Sequence, residues 1–156
     1  MNSEKITIGN VCFIIDKPAG KMLLLERSRE PMSNMATGVG GKTHFNEDIY
    51  ESCIREIKEE TGLDARNLKL KGIIKTLLSG KDSSWILFVY FTDDFSGELC
   101  ACPEGELKWV DLTNVMNENL IGFLREIFPA IMQSDRVIEA TIVHDEKGNV
   151  ITSTFN

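Results

Sequence analysis

Three glutamates, Glu56, Glu59 and Glu60, crowd the end of residues 41–63, a stretch that follows the glycine-rich turn Gly38-Val39-Gly40-Gly41. Like charges four apart on a helix cost roughly 0.2–0.5 kcal/mol even when exposed. A hard divalent cation, which takes oxygen ligands, is the group that would relieve such a cluster. Glycines beside it would let the backbone approach a bound anion with no Cβ in the way.

A helix must carry these carboxylates. Asn46 is read as its cap, with Glu47 and Asp48 in a first turn where the helix dipole favours negative charge, and Gly62 as its end. At about 100° per residue with Glu56 at zero, Ile49, Cys53, Ile57, Tyr50 and Ile54 span about 20° to 160°, a core-facing stripe. Glu59 then falls near about −60° and Glu60 near about +40°, so all three glutamates share one narrow arc. Glu60 lies inside the edge of the apolar stripe, where an unpaired ionised carboxylate is costly. Arg55 stands beside Glu59 and could hold a carboxylate by a charge-assisted hydrogen bond. A solvated charged face is the alternative reading of a Glu-Glu pair. The glycine turn, the arginine and the half-buried third carboxylate favour a site.

The elements around this stretch follow from pattern. Residues 6–15 are β-rich and apolar, turn at 16–20, and resume as a strand at 22–25. Residues 28–37, with Pro31 and Asn34, form a loop able to wall a pocket. Strands are expected at 68–78 and 85–92, joined by the polar loop 79–84, with a turn at 93–97 and a short strand at 107–110. Asn117 or Asn119 could cap a second helix running to about Gln133, with Leu120, Phe123, Leu124, Ile127 and Ile131 at helical spacing and Pro129 as a kink. Residues 137–143 and 150–154 read as a terminal hairpin, able to pair two chains as a homodimer or to cap the sheet. Mixed strands with one central and one late helix predict an α/β (α+β) sandwich, a mixed sheet between helices, in a single domain spanning 1–156.

The stretch also matches a named pattern. Glycine, five residues, glutamate, seven residues, then Arg-Glu-aliphatic-any-Glu-Glu-any-Gly-aliphatic is met by Gly41, Glu47, Arg55, Glu56, Ile57, Glu59, Glu60, Gly62 and Leu63. The chain therefore resembles the Nudix hydrolases, and its layout resembles the MutT-like nucleoside triphosphate diphosphatases, including the branch that removes oxidised purines such as 8-oxo-dGTP. The resemblance implies a Nudix-like α/β/α sandwich. It implies that Glu56, Glu59 and Glu60 bind Mg²⁺ or Mn²⁺ together with the Gly40 carbonyl, that Glu47 supports them, and that Arg55 orients a catalytic carboxylate. Glu104, five residues before Trp109, matches a distant glutamate that serves relatives as metal ligand or general base; Glu98 and Glu106 are rivals. Arg27 and Lys42 would touch phosphate, with Gly41 and Thr37 on the substrate side. Phosphoryl transfer needs charge neutralised on non-bridging oxygens and an aligned water, and one carboxylate must take the water's proton. Glu56, Glu60 and Glu104 all remain open for that role.

The base end is specified less. Where the oxidised-purine branch has asparagine, four residues before the box glycine, this chain has Thr37. Where animal relatives carry a Trp and an Asp pair before the late helix, it has Ile121, Phe123 and Leu124. Met32, Met35, Thr37, Leu78, Trp85 and Phe123 are candidate walls. Asn34, Asn117 and Asn119 are candidate donors and acceptors.

The bulk numbers set limits. The chain has 156 residues, 42% apolar and 26% charged, with a net charge of −7. That balance disfavours a nucleic acid polymer as partner but leaves a phosphorylated small molecule open, since metal ions reverse the local sign. No apolar run approaches the ~18 residues of a membrane span. The start, Met1-Asn2-Ser3-Glu4-Lys5, lacks the layout of a signal peptide, which predicts a cytoplasmic protein. Cys12, Cys53, Cys100 and Cys102 lack zinc spacing and read as reduced thiols packed as small hydrophobes. The expected function is metal-dependent hydrolysis of a small-molecule nucleotide, a (deoxy)nucleoside triphosphate, to monophosphate and pyrophosphate. A nucleotide sugar or dinucleotide is the rival substrate. A non-catalytic nucleotide-sensing domain is the rival class.

Overall fold

The structure, a computed structural model, describes residues 3–30 and 32–156; Pro31 of the first loop and Met1 and Asn2 of the leading segment lie outside the described residues. In chain order the elements are β1 (Lys5–Asp16), β2 (Lys21–Arg27), β3 (Ala36–Thr37), α1 (Ile49–Thr61), β4 (Asp64–Arg66), β5 (Lys69–Leu78), β6 (Ser83–Thr92), β7 (Asp94–Ser96), β8 (Gly105–Asp111), a 3₁₀ segment (Leu112–Asn117), α2 (Gly122–Gln133), β9 (Ile138–His144) and β10 (Val150–Phe155).

The main sheet runs β10-β9-β5-β6-β1-β2-β3, with β8 also on β2. The pairs β1–β6 and β5–β9 are parallel and the others antiparallel, so the sheet is mixed as expected. Strand alternation sends β1 and β2 side chains to two cores. Val11, Phe13, Met22 and Leu24 pack with Leu124, Ile127 and Ile131 of α2. Cys12, Ile14, Leu23 and Leu25 pack with Cys53 and Ile57 of α1. Burial on both faces is why residues 11–14 read as an unbroken apolar run. The two helices thus cover opposite faces of one sheet, and among the described residues no helix is long and apolar enough to cross a membrane.

Several local expectations need correction. The cap of α1 is Asp48, whose carboxylate accepts the Glu51 amide at 2.9 Å. Asn46 lies two residues too early, and Glu47 precedes the helix instead of opening it. Gly62 closes α1 at φ 80°, the left-handed conformation that a C-terminal glycine adopts freely. The buried face of α1 is Ser52, Cys53, Ile57, Glu60 and Thr61, while Ile49, Tyr50 and Ile54 are only partly covered. Ser52 and Thr61 are tolerated there because both hydroxyls are bonded, Thr61 to the Ile57 carbonyl at 2.6 Å.

Neither Asn117 nor Asn119 caps α2, which begins at Gly122 with no side-chain cap. The approach to it is strapped to β3 instead: Ala36 donates to the Asn119 carbonyl and Ile121 donates to the Ala36 carbonyl. Helix α2 continues through Pro129 to Gln133. The residues read as a turn at 93–97 include β7, which pairs with β4 in a small second sheet. Cys12 and Cys53 are core thiols, but Cys100 is exposed and Cys102 is half-buried. The terminal hairpin extends the main sheet, with β9 joined in parallel to β5 and β10 outermost.

Candidate active site

The glycine segment reaches α1 because it is stitched to β1. Asn10 donates its amide to the Gly41 carbonyl at 2.8 Å, Cys12 and Val39 exchange amide bonds, and Thr43 donates to the Ile8 carbonyl. The approach demands glycine. A Cβ on Gly40, at φ 154°, would lie 2.2 Å from the Asn10 carbonyl oxygen, and one on Gly41 would lie 2.6 Å from the Glu56 carboxyl carbon. The loop therefore rests directly on the carboxylates of the helix.

Arg55 organises those carboxylates. Its Nε donates to Glu47 Oε2 at 2.6 Å and its Nη2 to Glu47 Oε1 at 3.0 Å; Nη1 donates to Glu56 Oε1 at 3.0 Å and Glu59 Oε2 at 3.1 Å. A further bond from Nη2 reaches the Lys42 carbonyl at 3.2 Å. These bonds use the whole donor set of a guanidinium. The bidentate grip holds the Glu47 carboxyl down to about 2. The expectation that Arg55 could hold a carboxylate is met at Glu56 and Glu59, which share its Nη1. Arg55 reaches Glu47 most closely, a role the helical arc did not reveal because Glu47 lies outside the helix.

Glu60 is different. It is 7% exposed and makes no ion pair among the described residues; the Gly40 amide donates to its Oε1 at 2.8 Å. Burial foremost, then the neighbouring Glu56 and Glu104 charges, push its carboxyl up to about 7, against the Gly40 hydrogen bond and the Arg27 charge. Burial also raises Glu56, with Arg55 opposing and Glu59 and Glu47 adding to the rise. Two half-suppressed carboxylates side by side favour a positive guest.

Residues Asn10, Arg27, Thr37, Gly40, Gly41, Glu56, Glu59, Glu60 and Glu104 all line one cavity of about 610 Å³. Glu98 and Glu106 do not line it, so Glu104 alone of the three rivals reaches the cluster. Arg29 approaches Glu104 at 3.8 Å. Lys42 is exposed and outside the lining. The same cavity is also lined by Met32, Leu78, Trp85, Leu87, Ile121, Phe123 and His144. Met35, Asn34, Asn117 and Asn119 are not in the lining.

Asn10 escaped the sequence reading. It is 2% exposed, accepts the Gly41 amide on Oδ1 at 3.3 Å and donates through Nδ2 to Ser52 Oγ at 3.0 Å. Thr43 Oγ1 completes the set at 2.8 Å from the same Ser52 hydroxyl. A lone asparagine inside an apolar strand was the available signal, since a buried amide must find partners.

The donor set fits a hard divalent ion by chemistry: carboxylate and carbonyl oxygens, two carboxyls raised by burial, and no Cβ between Gly41 and Glu56. Among the described residues no three acidic, histidine or cysteine side chains converge tightly enough to cage an ion as they stand. Arg55 holds Glu56 and Glu59 where an ion would compete for them.

The NUDIX domain model matches residues 7–131. A Danio rerio oxidized purine nucleoside triphosphate hydrolase is 26% identical over 119 residues, 76% of each chain. An ADP-ribose pyrophosphatase from Methanocaldococcus jannaschii is 33% identical over 103 residues, 65% of this chain and 60% of its own. Among solved structures, a MutT protein from Bacillus halodurans superposes with a TM-score of 0.86 at 28% identity, covering 96% of this chain and 97% of that one.

Proposed function

The chain belongs to the NUDIX domain family, and from that premise we propose that it cleaves a nucleoside or deoxynucleoside triphosphate to the monophosphate and pyrophosphate, using Mg²⁺ or Mn²⁺. It is a Nudix hydrolase of MutT type, acting on phosphoric anhydrides. Nudix hydrolases generally use divalent metal ions.

The observation that carries the reading is one cavity lined both by carboxylates and by apolar and aromatic side chains. A nucleoside triphosphate needs both kinds of lining. Glu56, Glu59, Glu60 and the Gly40 carbonyl would hold the ion, with Glu104 at the cavity's edge. When bound, the ion supplies charge neutralisation on the phosphate oxygens and lowers the pKa of a coordinated water. Arg27, beside Glu60, meets the phosphate chain. Gly40 and Gly41 let that chain approach the backbone. Arg55 keeps Glu56 and Glu59 turned toward the same space. Glu60 lines the cavity as one candidate base for the water's proton. Glu104 shares the cavity as the second candidate base.

8-oxo-dGTP is one candidate substrate, supported by the relative named for oxidised purine triphosphates. The relative named for ADP-ribose supports a second reading, a nucleoside diphosphate derivative in the same cavity. The intact carboxylate set disfavours a non-catalytic sensing role. The deciding experiment incubates the protein and Mg²⁺ with normal and oxidised purine triphosphates and with ADP-ribose, separating products by chromatography. Monophosphate plus pyrophosphate from a triphosphate is the expected result. No pyrophosphate from any triphosphate ends the reading.

A further inference from the structure

The carboxy-terminal hairpin contributes His144 to the lining of the cavity. Its turn is rigid: Asp145 accepts the Lys147 and Asn149 amides on Oδ1, each at 2.9 Å, and donates its own amide to the Asn149 carbonyl at 2.9 Å. The turn is also pressed into the cavity wall. A Cβ on Gly122 would lie 2.1 Å from the Gly148 carbonyl oxygen, and one on Gly148 would lie 3.3 Å from Met32 Sδ. Gly122 and Gly148 are therefore small because the turn docks against α2 and the first loop.

His144 sits where β9 enters this turn and lines the cavity. Its Nδ1 lies 2.9 Å from the Asp145 carbonyl oxygen. A carbonyl only accepts, so Nδ1 carries the proton and donates. In the neutral ring Nε2 is then left as an acceptor. Trp85 and Phe123 line the same cavity. The Trp85 ring lies over Gly9, where a Cβ would stand 2.7 Å from it. An aromatic surface and a ring acceptor lining one cavity have the chemistry to read a planar base.

We infer that His144, held as an acceptor by the Asp145 carbonyl, is a specificity-determining residue that selects bases presenting an N–H or amino donor to that edge of the cavity. The inference rests on the nucleotide reading of the cavity. It adds a residue from the last hairpin to the carboxylates of α1, the glycine loop and the Glu104 turn.

The experiment compares wild type, His144→Phe and His144→Gln. Phenylalanine keeps the wall and removes the acceptor; glutamine restores one. Guanosine, 8-oxoguanosine, adenosine, cytidine and uridine monophosphates are titrated by calorimetry, with ribose 5-triphosphate as the base-free probe. The triphosphates are then assayed for kcat and KM. His144→Phe should weaken the preferred nucleotide about tenfold, through Kd and KM and not kcat, and flatten the ranking of bases. His144→Gln should recover part of the loss, and the base-free probe should bind equally to all three proteins. An unchanged ranking in His144→Phe, or an equal loss on the base-free probe, overturns the inference. Base-dependent binding through His144 without any turnover would instead sink the triphosphatase reading and leave this one standing. Circular dichroism checks that both variants fold.

Discussion

Gly40 donates its amide to Glu60 Oε1 at 2.8 Å across 20 residues of chain. That single bond joins the glycine loop to the carboxylate that Arg55 does not hold. Glu47, Glu56 and Glu59 share the guanidinium, while Glu60 is buried with its carboxyl near 7. Division of labour among the glutamates follows from this arrangement.

The first prediction concerns pH. Glu60 titrates near 4.5 in an unfolded chain and near 7 in the folded one. Between those values the folded protein keeps a proton that the unfolded chain has released. Stability of the metal-free protein should therefore fall as pH rises through that window and level off above it. The gap corresponds to about 3 kcal/mol. Glu60→Gln should remove most of the decline, leaving the share of the raised Glu56 carboxyl, and be the more stable protein at pH 8 in chelator. Urea denaturation from pH 4.5 to 8 measures this; parallel curves for the two proteins would contradict the buried-charge assignment.

Metal should reverse the penalty. Saturating Mg²⁺ is expected to raise the melting temperature of wild type, since a ligand that binds only the folded state stabilises it by mass action. Chelation should return it to the metal-free value. Glu60→Gln should show a much smaller rise. A wild-type melting temperature indifferent to Mg²⁺ and Mn²⁺ would place the metal elsewhere.

Glu59 separates activity from stability. Its side chain is 59% exposed, so Glu59→Gln should change stability by no more than about 0.5 kcal/mol. Turnover should fall by about 100-fold or more if it is a ligand to the catalytic ion. Steady-state kinetics alongside thermal melts decide the matter. Full activity in this variant would remove Glu59 from the site.

Arg55→Lys tests the fork. Lysine can satisfy one carboxylate but not the bidentate Glu47 pair together with Glu56 and Glu59. A loss of about 1–3 kcal/mol is expected from broken charge-assisted bonds, with kcat falling more than KM rises because Glu56 and Glu59 lose their aim. A variant with wild-type kcat would show that the guanidinium serves the fold alone.

Asn10→Ala tests the missed residue. It removes the acceptor of the half-buried Gly41 amide and a partner of the buried Ser52 hydroxyl, at a cost of about 1–3 kcal/mol. Because the Gly40–Gly41 loop is held through this asparagine, Mg²⁺ affinity measured by calorimetry should weaken as well. Intact affinity in a destabilised variant would confine Asn10 to a structural role.

Much of this protein was legible before folding. The helix, its Gly62 stop, the mixed strands and the box from Gly41 to Leu63 follow from spacing and periodicity, because a helix repeats its geometry regardless of context. The edge position of Glu60 followed from the same arithmetic. The helix caps did not: Asp48 displaced Asn46 by local geometry, and Asn119 was diverted to the Asn34 carbonyl.

What the amino-acid order determined by itself is the carboxylate cluster, since its glutamates, arginine and glycines lie within 23 residues and one helix sets most of their relation. Only the tertiary structure decided which distant groups join them. Asn10, Glu104, Trp85 and His144 come from four separate strands or turns. Their convergence depends on sheet order and on the close approaches at Gly9, Gly41 and Gly122, none of which has a local period to announce it.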